Sequence, residues 1–345
     1  MFRSFRSSFG TFSRLSHLQS TMHTPNPTPL PRLLADVGGT NARFAWQAQA
    51  GAAITDVQAL PTADFPTLQD AIRHYLAGLG RGLPAAAAIA IANPVTGDQI
   101  RMTNHHWSFS QAAVKADFGL ATLRLLNDFT ALALALPDLP ADERRQVGGA
   151  AAEPGQAIAL VGAGTGLGVS GLVPDDLGGW VPLQGEGGHV TLPAHTARER
   201  LVMDGLVRRY GHASAERVCS GQGLVDTCWL LCEADGVDAA ALTHAAQVSD
   251  AALHGAHPQA LEALNIFCAM LGSVAGNLAL TLGARGGVYV GGGIVPRLGA
   301  WFDSSPFRER FETKGRFQAY LSALPVWVIT SPQSPALLGA ARALG

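Results

Sequence analysis

Charge is scarce in this chain. Asp, Glu, Lys and Arg make up 14% of its 345 residues, 48% are hydrophobic, and the net charge is −2. A globular body follows, without the positive field that nucleic acid or an anionic membrane would need. Cysteine is scarce too. Cys219, Cys228, Cys232 and Cys268 show no paired CxxC spacing, so reduced, cytosolic thiols are expected. Cys228 and Cys232 could share a helix face, which suits packing better than a metal. No Gly-Lys-Ser or Gly-Lys-Thr occurs, so there is no Walker A loop. The formal GxGxxG from Gly166 to Gly171 runs into turn residues instead of a helix, which removes a dinucleotide reading. The longest apolar stretch, 266–282, contains Ser273, Gly276 and Asn277 and reads as a buried core helix, not a membrane span. No acid precedes Asp36, while Arg3, Arg6, Arg14 and many serines do. That composition fits a transit peptide, a disordered tail, or a start read too early with Met22 as the true start. Residues 1–31 are therefore set apart as a disordered or mis-started extension.

Glycine is where the chain is rich: there are 40, and several gather in three loops. In the first, apolar residues 33–37 read as a buried strand, Gly38-Gly39 permit a sharp reversal, and the alternation that follows returns as a second strand. A carboxylate (Asp36), bare amides, the Thr40 hydroxyl and the Asn41 amide meet there. An ordinary Gly-Gly hairpin would look the same, and so would a backbone nest for phosphate oxygens with Asp36 holding a hydrated Mg²⁺. The second loop favours the nest. Apolar 157–161 leads into Gly-Ala-Gly-Thr-Gly-Leu-Gly at 162–168, and 169–173 returns as a strand. Two such hairpins facing each other would grip a polyphosphate, through Gly38, Gly39, Thr40 and Asn41 on one side and Gly164, Thr165 and Gly166 on the other. In the third loop, glycines flank the buried strand 288–290, and a planar base could lie on that bare surface near Gly292 and Gly293.

Elsewhere strands and helices alternate, the sign of an α/β fold. Leu68, Ala71, Ile72, Tyr75 and Leu76 fall at helical spacing. Residues 86–92 read as a central strand stopped by Asn93-Pro94, and Ser110 as the cap of a short helix ending near Gly119. Strand 122–126 runs into Asn127-Asp128, followed by helix 131–136 and a domain boundary at 137–140. An Asp beyond a strand's carboxyl end could take a proton from a substrate hydroxyl, and it could equally cap the next helix. Asn127 could bond a second hydroxyl through both donor and acceptor. Gly185-Glu186-Gly187-Gly188-His189 would let a small polar ligand approach closely, and a metal site there lacks a third ligand. Thr196 and Glu199 form a capping box for a helix reaching Tyr210 and stopped by Gly211. Residues 214–218 read as the start of another helix, with Glu216 facing either solvent or the cleft. Residues 258–283 form a core helix. Arg308, Arg310, Lys314 and Arg316 read as a solvated basic helix face. Strand 326–330 precedes a last helix, 334–344, returning to the first domain.

Taken together and in order, six strings resemble bacterial glucokinases of the zinc-free type over the span from Leu33 to Leu344. They are Ala35-Asp36-Val37-Gly38-Gly39-Thr40-Asn41-Ala42-Arg43, Leu126-Asn127-Asp128-Phe129-Thr130-Ala131, the glycine run 162–168, Gly185 to His189, Ser214 to Val218, and Gly286 through Arg297. The resemblance implies the actin-like ATPase (ribonuclease H-like) fold, with two α/β domains around a cleft: 32–138 plus 330–345, and 139–329. It implies ATP-dependent phosphorylation of the C6 hydroxyl of D-glucose, the entry to glycolysis, with ATP and Mg²⁺. Asp128 would be the general base, and Asn127, Asp128, Glu186, His189 and Glu216 would bind the sugar. A cytoplasmic homodimer acting on small molecules, and not on nucleic acid or membranes, is the family expectation. The cysteine-rich zinc motif of the repressor-related sugar kinases is missing. A kinase for another hexose is the nearest alternative. A heat-shock-like ATPase would want a peptide-binding domain and a sugar-responsive regulator a DNA-binding module, and no stretch reads as either.

Overall fold

The structure is a computed structural model that describes residues 30–345 apart from Asn104. The extension set apart at 1–31 lies almost wholly outside them. Along the chain come β1 (Arg32–Val37), β2 (Asn41–Gln47), β3 (Ile54–Pro61), α1 (Leu68–Leu79), β4 (Ala86–Ile91), β5 (Gln99–Arg101), β6 (Ser108–Ser110), α2 (Gln111–Asp117), β7 (Thr122–Asn127) and α3 (Asp128–Ala135). Then follow β8 (Arg144–Gln146), β9 (Ile158–Ala163), β10 (Leu167–Pro174), β11 (Trp180–Gln184), α4 (Ala197–Tyr210), α5 (Gly221–Asp235), α6 (Ala245–Leu253) and α7 (Pro258–Leu282). The chain closes with β12 (Val288–Gly291), α8 (Phe307–Glu312), α9 (Gln318–Ala323), β13 (Val326–Ile329) and α10 (Ala336–Arg342).

One plan is used twice. The first sheet has the order β3-β2-β1-β4-β7 and the second β11-β10-β9-β12-β13-β8. In each, three antiparallel strands are followed by two parallel ones, and the second sheet adds β8, antiparallel, at its far edge. Parallel strands covered on both faces read as unbroken apolar runs, which explains Leu33 to Ala35 and the Ala/Ile run of β4. Leu33, Ala35 and Val37 pack with Ile72 and Tyr75 of α1. Leu34 and Ala88 face Leu337 and Ala340 of α10 instead. The last helix thus returns to the first sheet, so close to α3 that a methyl on Gly339 would overlap the Ala131 carbonyl oxygen.

Helix α7 is long and apolar enough to cross a membrane, yet 78% of its most apolar window is buried among the helices of the second core. All four cysteines are free and buried.

Three local expectations are corrected. The helix expected at 131–136 begins at Asp128, because Asn127 and not Asp128 is its N-cap. Residues 214–218 are turns that lie along 188–191 through a Thr191–Ser214 bridge, and helix α5 starts later, capped by Ser220. The basic residues of α8 are not a solvated face. Arg310 Nη2 lies 2.6 Å from Oε1 of buried Glu199, and Arg308 donates to Glu312 and to the carbonyls of Leu321, Ser322 and Leu324. Amphipathic spacing shows which residues share a face but not whether another helix packs on it.

Candidate active site

The parallel strands β1, β4 and β7 end level with one another: Val37 stands beside Ile91, and Ile91 beside Asn127. The turn at 38–40, the Asn93-Pro94 corner and Asn127-Asp128 therefore leave the sheet at one edge, where α/β sheets collect ligands. The turn is closed by Gly38 N donating to Asn41 O at 2.9 Å and is braced by the Thr62 hydroxyl donating to Gly39 O at 2.8 Å. Among the described residues, the Gly39 and Thr40 amides find no acceptor. The counterpart at 164–166 joins β9 to β10. Gly164 N donates to Gly166 O and Gly221 N to Gly164 O, each at 2.8 Å, and the Thr165 and Gly166 amides likewise find no acceptor among the described residues. Each sheet thus opens with a tight turn that offers two free donors.

Asp36 and Asp128 share the first edge. Asn127 Oδ1 accepts from the amides of Phe129 (3.0 Å) and Thr130 (3.3 Å), and Asp128 Oδ1 accepts from Phe129 N at 2.8 Å. Asn127 Nδ2 lies 3.5 Å from the Asn93 carbonyl oxygen, to which it donates one hydrogen, so its second hydrogen is what it has left for a ligand, and the expectation that both of its groups serve a hydroxyl is narrowed to that donor. Burial pushes the Asp128 carboxyl up to about 6, the Phe129 amide opposes this, and the charge on Asp36 adds to the rise. Burial also raises Asp36, against the nearby Ser334 hydroxyl and the Arg43 guanidinium, which lies 3.6 Å away.

On the facing side, a cavity of about 260 Å³ is lined by Pro94 to Thr96, Leu125 to Asn127 and Thr130 from the first sheet's edge and by Gln184 to Glu186 at the end of β11 and just beyond it. Asn127 and Glu186 thus meet in one space. Asp128 follows Asn127 directly in the chain and is not itself among the lining residues. His189 is exposed on the short 3₁₀ turn that follows Glu186. The Glu216 amide donates to Gly188 O at 2.8 Å, while its Oε2 accepts from Leu167 N at 2.9 Å, so Glu216 reaches the second glycine turn and not bulk solvent. Glycine is required at Gly188, where a methyl would run into the Leu167 carbonyl. The third glycine loop opens beside a hollow of about 110 Å³ walled by Gly293, Ile294 and Arg297 on one side and Ala245, Ala246 and Ser249 of α6 on the other. Gly292 needs its glycine: φ is +83° and a side chain would strike the Ala163 backbone.

Sequence reading missed Thr96, Gln184 and the α6 wall. Gln184 abuts a recognised string and could have been noticed, but α6 is placed by long-range packing and carries no local signal. A hydrated divalent cation fits the first edge. Asp36 is a hard oxygen donor at the strand's end, able to hold such an ion through water, while among the described residues no three of His, Cys, Asp and Glu gather into a direct metal site.

A family model described as Glucokinase matches residues 33–345. The chain is 56% identical over 323 residues to a glucokinase of Chromobacterium violaceum, covering 94% of this chain and 92% of that one. It is 52% identical over 314 residues to the bifunctional protein glk of Burkholderia pseudomallei, covering 91% of this chain and 48% of that protein, about half its length. The crystal structure of a glucokinase from an Antarctic psychrotroph superposes with a TM-score of 0.82 at 36% identity, covering 90% of this chain and 98% of that one.

Proposed function

The chain belongs to the glucokinase family and phosphorylates glucose with ATP, and from that premise we propose how its residues divide the work. Asp128 is the general base for the C6 hydroxyl. The observation that carries this reading is a half-buried carboxylate at a strand's end, raised to about 6 and directly following Asn127, which lines a cavity together with Thr96, Thr130, Gln184 and Glu186. A base is most effective when its pKa approaches the working pH. Asn127 Nδ2, Glu186, His189 and Glu216 bond sugar hydroxyls. The turns at 38–40 and 164–166 cradle the ATP phosphates on their free amides, with Asn41 beside the first. Gly292 and Gly293 admit the adenine against α6. Asp36 holds Mg²⁺ through water. When bound, the ion would neutralise phosphate charge, which phosphoryl transfer needs more than covalent help. Residues 32–138 with 330–345 act as one domain and 139–329 as the other, and the enzyme works in the cytoplasm as a homodimer. The packing of α10 on the first sheet supports that division.

Glu186→Ala should weaken glucose binding by at least ~10-fold, because a pocket built on hydroxyl recognition depends on each partner, and should leave ATP binding within about twofold. Calorimetry with the two ligands separately checks this, and an unchanged glucose affinity removes Glu186 from the sugar site. Glucose contacts from both domains should also close the cleft and exclude water. Small-angle scattering should show compaction on adding glucose, and superimposable curves would count against closure.

A further inference from the structure

Phe129 lies in a recognised string but has no part in binding or proton transfer. It is the second residue of α3, directly after Asp128. Its ring lies on the second sheet, against Gly162 of β9 and Gly168 of β10, which are cross-strand partners on either side of the turn at 164–166. A methyl on Gly162 would lie 2.5 Å from the ring's Cζ, and one on Gly168 would overlap the ring itself. Phe129 packs against the apolar cluster that α3 forms with the second sheet, which includes Leu160 and Leu172. The base thus sits on the first sheet's edge, while the next side chain is seated on the two residues that flank the donor turn of the other sheet.

We propose that Phe129 is the positioning residue that holds Asp128 in register with the turn at 164–166, its ring seated on the Gly162–Gly168 pair. This rests on the reading of Asp128 as the base. The ring is turned onto glycines and apolar side chains and has no polar group to offer a hydroxyl or a phosphate, so its effect falls on the geometry of transfer and not on affinity. Misplacing a reacting group by about 1 Å can cost ~10²-fold.

The test is Phe129→Leu in two backgrounds, wild type and Asp128→Asn, with turnover read by a coupled glucose 6-phosphate assay. In wild type, turnover should fall about 10- to 100-fold, with both KM values within about threefold. In the Asp128→Asn background the same change should cost less than about twofold, because residues acting through one another are non-additive. An equal loss in both backgrounds shows a merely structural ring, and a rise in KM at unchanged turnover shows a binding role; either overturns the proposal. Near-normal turnover of Asp128→Asn alone instead sinks the base reading, in an arm of its own. Gly168→Ala displaces the same ring from the opposite side and should reproduce the turnover loss. It keeps the test open if Phe129→Leu folds poorly, and normal turnover with Gly168→Ala overturns the proposal as well.

Discussion

Asp128→Asn should lower turnover by at least ~10²-fold, the lower end of general-base effects, and should at the same time make the protein harder to melt above neutral pH. The substitution is nearly isosteric, and Asn can still accept from the Phe129 amide, as Asp128 does at 2.8 Å. What is removed is the ability to take a proton, together with the charge that goes with it. Burial lifts the Asp128 carboxyl from its ordinary 3.8 to about 6. The folded protein therefore holds that proton more tightly than the unfolded chain does. The contribution to stability is fully present below the ordinary carboxylate value and is lost as pH rises through about 6. A shift of this size corresponds to at most ~3 kcal/mol. Asp128→Asn should thus melt higher than wild type at pH 8 and match it near pH 4. In wild type, kcat/KM should fall below pH ~6, where the free enzyme's base is protonated. Normal turnover in the variant, or an acid limb retained by whatever activity remains, takes Asp128 out of the proton-transfer role. Opposite signs for activity and stability separate this variant from one that is simply misfolded.

The sequence disclosed most where a position tolerates only one kind of residue. Both glycine turns were legible because the same Gly-Thr reversal recurs between the paired antiparallel strands of each sheet. The α4 capping box was legible because Thr196 and Glu199 satisfy each other's backbone donors within one turn. What stayed hidden depends on distant partners. Asn127 and Asp128 are both good capping residues, and nothing local says which one caps; the approach of the chain from β7 gives the cap to Asn127. Ser214 to Val218 has helical composition, but pairing with 188–191 holds it as turns. The glycines at 162 and 168 looked like phosphate-loop residues alone, whereas they also seat Phe129, a contact from α3 to the second sheet. Phe129 carried no chemical signal because phenylalanine has none to carry.

The same argument from distant partners gives the second large effect. Arg310→Met should destabilise the protein by ~3–5 kcal/mol, the usual result of removing one partner from a buried ion pair. For a chain of this size that is a melting temperature lower by about 6–20 °C. Glu199 is 3% exposed in its side chain and Arg310 14%. The Glu199 carboxylate closes the α4 capping box, accepting from the His195 and Thr196 amides as well as from the guanidinium. Burial pushes this carboxyl up, but the Arg310 hydrogen bond and the two amides outweigh it, so the net shift is below the ordinary 4.5. Its stabilisation is therefore present above pH ~4.5 and lost as pH falls through the lower folded value. Without Arg310 the stranded carboxylate should titrate higher, so the deficit of the variant should narrow as the pH is lowered. Glu199→Gln combined with Arg310→Met should recover part of the loss at pH 7, since no buried charge is then left unpaired. The pair joins α4 to α8 and is not among the cavity residues, so turnover at a temperature well below melting should be near normal. A cost under 1 kcal/mol at pH 7, measured by denaturant titration, would return Arg310 to the solvated face that its sequence spacing suggested.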